Sequence, residues 1–149
     1  MFARPLSPRA AFWSRLTLHA LWLHGAWEAA QCRLFYDMSG TLGPFVLGFM
    51  AGATGADVVL TLLLVALTLR LLKPRPALRP GPLLVLLGAG AAVLIEVSAS
   101  HFGWWRYSPA MPILPIFGAT IGLWPVLQMA LLPPLAARLA RASVFSGSK

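Results

Sequence analysis

A chain of 149 residues that is 58% hydrophobic and only 11% charged, with a mean hydropathy of +0.76, falls well short of the about 25% charged residues usual in soluble domains. That deficit argues against a water-soluble domain and leaves no length for a second one. The net charge of +8 comes from basic residues dispersed at the ends of apolar segments, a membrane pattern and not a nucleic-acid-binding stripe. The lone Cys32 excludes an intrachain disulfide and any two-thiol redox motif.

Four continuous apolar segments, each near the ~20 residues a helix needs to cross about 30 Å of hydrocarbon, predict spans over 11–31, 53–72, 83–100 and 113–132. The expected fold is all-α, a polytopic four-transmembrane-helix bundle forming a single membrane domain over 1–149. A cleaved signal peptide is disfavoured because His19, His24 and Glu28 interrupt the first segment. Between spans one and two, 44–51 reads either as a re-entrant turn or as an early start of the second helix. The connection from Lys73 to Pro82 is short and proline-rich, which makes spans two and three antiparallel neighbours. The loop after span three, from His101 to Pro115, is dense in aromatics and prolines. Pro125 predicts a kink in span four.

Ten Lys and Arg residues fall on one side of this layout, and only Arg33 and Arg106 on the other. The positive-inside rule then places both termini in the cytoplasm of a cell with an inner (plasma) membrane, a multi-pass N-in/C-in topology.

Three of the four acids, Glu28, Asp57 and Glu96, lie inside predicted spans, where carboxylates are expensive and mark function. At about 1.5 Å per residue each sits roughly 20 Å from the cytoplasmic edge, so three helices bring a carboxylate to one level in the outer half of the bilayer. His24 is one turn before Glu28 and shares a face with Thr17 and Gln31. Asp57 shares a face with Thr54, Thr61 and Thr68. Ala89, Ala92, Glu96 and Ser100 make a small-residue face. Gln128 is expected one to two turns below the acids. Candidate partners for the acids or for a ligand are Gln31, His101, Trp105, Arg106, Tyr107 and Gln128, with Arg106 the natural counter-ion. Glu28, Asp57, Glu96 and His24 are the candidates for acid–base chemistry, for a divalent metal site, or for a fixed interhelical polar network.

Two resemblances add to this. His24-Gly-Ala-Trp-Glu28 with Gln31-Cys32, Gly55-Ala-Asp57, Glu96, Trp105-Arg-Tyr107, Met111-Pro112, Pro125, Gln128 and Pro133-Pro134 resembles an uncharacterised group of small four-helix bacterial inner-membrane proteins, over nearly the whole chain. It brings no function with it. His24-x-x-x-Glu28, a second-span acid and an aromatic outer loop are similar to the sterol-isomerase-like family, which implies a proton shuttle able to shift a double bond. Size and helix surface make an accessory or assembly subunit of a larger membrane complex the first expectation. The alternative is an enzyme or carrier acting on a small lipophile or a divalent cation. The partners expected are the lipid bilayer and other membrane subunits, with no nucleic acid; the sequence leaves the cofactor unknown.

Overall fold

The computed structural model describes residues 7–37, 43–73, 80–116 and 118–145. Four helices account for most of them: α1 (Pro8–Phe35), α2 (Gly43–Leu72), α3 (Pro80–Phe102) and α4 (Leu123–Phe145). Every one carries proline in its first turn, Pro8, Pro44, Pro80 with Pro82, and Pro125. A first-turn N–H has no intrahelical partner, so proline loses nothing there and its fixed φ favours the helix. Ser7 completes the start of α1 by accepting the Ala10 N–H at 3.2 Å.

Three helices have stretches long and apolar enough to cross a membrane: Val46–Leu72, Pro80–Phe102 and Leu123–Ala142. The fourth, α1, has 28 residues, about 42 Å at the standard rise, but is less apolar because its inner face is polar. The end of α1 pairs with the segment after α3 through a bridge between Tyr36 and Tyr107. Ser108 donates its N–H to the Phe35 carbonyl and its hydroxyl to the Leu34 carbonyl. Tyr36 packs on Phe49 near the start of α2. The ends of α1 and α3 therefore meet the beginnings of α2 and α4, and neighbouring helices alternate in direction. Packing is closest for α1 on α2 and α4 and for α3 on α4; α2 and α3 touch less and leave a cleft.

Several expectations are corrected. Residues 113–122 are not helical: β1 (Ile113–Ile116) and β2 (Ala119–Gly122) form an antiparallel hairpin with Ile113 opposite Gly122, and α4 starts only at Leu123. The β-branched Ile113, Ile116, Thr120 and Ile121 suit strands, and Gly118 supplies the φ of +80° in the turn. Pro125 thus opens α4 instead of kinking it; the prolines inside α4 are Pro133 and Pro134. Residues 44–51 are helical, the second of the two alternatives. The first helix runs on through Cys32 to Phe35. At the far end of α3 the chain leaves through Gly103 at φ +64°, with the Trp104 N–H donating to the Ala99 carbonyl. Most of the Lys73–Pro82 connection, Arg4, Arg75, Arg79 and the 146–149 tail lie outside the described residues.

The small-residue face of α3 is Gly88, Ala92, Glu96 and Ala99, whereas Ser100 is exposed. At Gly88 α3 closes directly on α4: a Cβ there would lie 1.9 Å from the Met129 carbonyl oxygen. That carbonyl is the one Pro133 leaves without its intrahelical N–H, four residues on. The proline frees an acceptor and the glycine lets α3 close over it, a pairing of the small-residue type that membrane helices use. Gly88→Ala is expected to destabilise the bundle by about 1–3 kcal/mol through overpacking. Gly90→Ala, which meets open space, serves as the matched control and leaves the melting temperature in detergent unchanged.

Candidate functional site

Five polar side chains from three helices form one hydrogen-bonded cluster inside the bundle. From α1 come His24, Glu28 and Gln31, all nearly or fully buried; from α4 comes Gln128, and from α2 Asp57. The arrangement is directional. Trp27 donates its indole N–H to Gln31 Oε1 at 3.0 Å, which fixes the orientation of that amide. Gln31 Nε2 then donates to Gln128 Oε1 at 3.0 Å and to Glu28 Oε1. With its oxygen so occupied, Gln128 presents Nε2 to Asp57 Oδ2 at 2.7 Å, Glu28 Oε1 at 3.1 Å and His24 Nδ1 at 3.1 Å. Three acceptors compete for two amide protons. With Nδ1 as an acceptor, His24 carries its proton on Nε2 and donates to Thr61 Oγ1 at 2.9 Å. His24 Nδ1 lies 3.6 Å from Asp57 Oδ2.

Glu96 sits apart in hydrogen bonding. Its Oε2 accepts from the Tyr107 hydroxyl and from the Gly122 N–H at 2.8 Å, so it ties α3 to the loop that follows it and to the end of β2. Trp105 donates to the Tyr107 oxygen at 2.9 Å. Gly122 has no room for a side chain, since a Cβ would fall 2.8 Å from the Tyr107 ring. Burial foremost, then the bond to Glu96, pushes the Tyr107 phenol up; burial does the same to Tyr36. Both hold their protons at neutral pH.

The three carboxylates line a single cavity of about 630 Å³ in the cleft between α2 and α3, with Gln31 and Gln128 in the same wall. Its remaining surface is almost wholly apolar. Val59, Leu63 and Ile95 stand at its margin and are themselves exposed on the outside of the bundle, so the cleft opens sideways. Tyr36, Phe49, Trp104 and Trp105 close its end nearest the loop after α3. Asp57 is the most open of the three acids, partly exposed where Glu28 and Glu96 are buried.

Of the residues expected at the site, the structure brings together His24, Glu28, Gln31, Asp57, Glu96, Trp105, Tyr107 and Gln128. Gln128 lies level with Glu28 and Asp57 rather than one to two turns below. His101 is exposed and rests edge-on against Phe102. Arg106 is exposed as well; its carbonyl accepts the Asp37 N–H, and Tyr107 takes the place expected for it beside Glu96. Side chains alternate along this extended segment, so Trp105 and Tyr107 turn inward and Arg106 outward. Among the described residues no three His, Cys, Asp or Glu side chains are grouped to hold a metal ion. The donor set agrees: the amide N–H of Gln128 points at the place a cation would occupy between Glu28 and Asp57. The sequence reading assigned no part to Trp27, whose spacing of four from Gln31 was the available signal, or to Gly122.

Comparison with protein-family models, with curated proteins and with solved structures gave no match.

Gln128→Leu strips the donor that serves Asp57, Glu28 and His24, and is expected to cost about 1–3 kcal/mol in unfolding experiments. Trp27→Phe removes one peripheral donor and should cost about 1 kcal/mol. Equal stability of Gln128→Leu and wild type would show that the amide does not hold the cluster.

Proposed function

We propose that the chain is a four-span inner-membrane protein with both ends in the cytoplasm, and that the α2–α3 cavity binds a small lipophile whose polar end is held and protonated or deprotonated at Asp57. The observation that carries this is the joining of an apolar, sideways-open cavity of about 630 Å³ to a buried carboxylate, amide and imidazole cluster. Sites for small molecules are typically apolar pockets with a few convergent polar groups. A lipid-soluble molecule reaches this one from the bilayer without crossing water.

Two observations support the span count and orientation. Helix α1 is long enough to cross, and its buried polar stripe faces α2 and α4, which leaves Leu18, Leu21 and Trp22 outward. Arg15, Arg70, Lys73, Arg138 and Arg141 lie toward one end of the bundle, and Arg33 and Arg106 at the other, as the positive-inside rule requires.

In the chemistry proposed, Asp57 is the group that meets the ligand and exchanges a proton with it. Gln128 orients the carboxylate, and His24, beside it, takes up or returns the proton. Glu28 and Gln31 act as positioning residues behind them. Such an arrangement serves an enzyme that shifts a proton on a lipophile, or a carrier that binds one. A second reading, an accessory subunit, is favoured by the exposed Gly48, Ala51 and Gly52 on α2, an open small-residue surface of the kind that admits another helix.

Native mass spectrometry on protein gently extracted from its own membrane tests the first reading. A stoichiometric lipophile is expected on the wild type. Asp57→Asn, nearly isosteric, should retain it about 10–150-fold less tightly, as loss of a charge-assisted hydrogen bond implies. An empty bundle that co-elutes with other subunits would favour the accessory role instead.

A further inference from the structure

A second cavity, of about 370 Å³, lies at the opposite end of the bundle between α2, α3 and α4. Val65, Leu84 and Ala137 give it an apolar wall, and Arg138 and Arg141 stand at its rim. These two arginines are three residues apart on the last turns of α4, so their guanidinium groups lie on one side of the helix. None of the chain's four acids lies at this end to neutralise them. Thr68, also in the wall, is 1% exposed, and its buried hydroxyl has no hydrogen-bond partner among the described residues. An unpaired buried hydroxyl costs free energy unless something fills the place beside it.

We propose that this slot binds one phospholipid with an anionic headgroup. The acyl chain runs along Val65, Leu84 and Ala137, an ester carbonyl accepts the Thr68 hydroxyl proton, and the phosphate and second anionic charge or hydroxyl-bearing head lie against Arg138 and Arg141. Depth agrees with chemistry. Thr68 is one turn inside the end of α2, the level at which ester groups lie beneath phosphates, and basic pockets between helices on the cytoplasmic side are suited to anionic lipid heads. The site does not involve the carboxylate cavity, so its test stands whatever occupies that cavity.

The test is native mass spectrometry of the delipidated full chain in detergent, with phosphatidylglycerol and phosphatidylcholine of identical acyl chains added in turn. Wild type is expected to bind one phosphatidylglycerol on the order of tenfold more tightly than phosphatidylcholine. Arg138→Gln with Arg141→Gln should remove that preference, while Thr68→Val weakens both lipids alike and keeps it. Arg106→Gln, at the other end, leaves the preference intact. Equal binding of the two lipids by wild type, or a preference that survives in the double variant, overturns the proposal. So does complete displacement of phosphatidylglycerol by inorganic phosphate, which would mark a site for a free anion.

Discussion

Everything at the centre of this bundle depends on the contact between Gln31 and Gln128. Polar groups removed from water must find partners, and in hydrocarbon no solvent supplies them. Trp27 sets the orientation of the first amide and the first sets the second, so donors end up aimed at Asp57, Glu28 and His24. The same pair joins α1 to α4, and the Gln128 bond to Asp57 adds α2. Three helices are thus held together by groups that an apolar core would not tolerate singly. The cost of this arrangement is the oversubscribed Gln128 amide, which leaves one of its three acceptors short of a proton at any instant.

The frame around this centre comes from proline and glycine. Proline opens each helix, so all four begin sharply. Inside α4, Pro133 frees the Met129 carbonyl, and Gly88 brings α3 against it. That tight seam between α3 and α4, with the polar seams of α1, fixes three helices firmly and leaves α2 and α3 apart above it. The cavity occupies this gap. Glu96, bonded to Tyr107 and Gly122, carries the loop after α3 and the hairpin over its end, with Trp105 and Tyr36 beneath. A carboxylate that looked catalytic from its depth alone fastens the cover of the cavity instead.

Much of this was legible in the sequence. A helical rise of about 1.5 Å per residue was enough to bring Glu28, Asp57 and Glu96 toward one region of the bundle, where all three line one cavity, and the 3.6-residue period put His24, Glu28 and Gln31 on one face. Those inferences needed only helix geometry. The failures occurred where geometry was not helical. Ile113–Gly122 is apolar enough for a span, yet its β-branched residues and Gly118 make a hairpin, and the displaced start of α4 carried Gln128 away from its real depth and turned Pro125 from a helix start into a supposed kink. Arg106 was expected beside a carboxylate by charge; the alternation of side chains along an extended segment gave that place to Tyr107. The cavity itself had no sequence signal, since it arises from how closely Gly88 lets α3 lean on α4.

The most direct measurement fills the cavity without touching its acids. Ala56 is exposed and lines the cleft on α2, next to Asp57 in sequence but on the open side. Ala56→Trp puts an indole into the space a lipophile would need. If the cavity is the binding site, the co-purifying lipophile disappears from the mass spectrum of this variant while its melting temperature matches that of ligand-stripped wild type. The same bound mass on wild type and on Ala56→Trp would contradict the account.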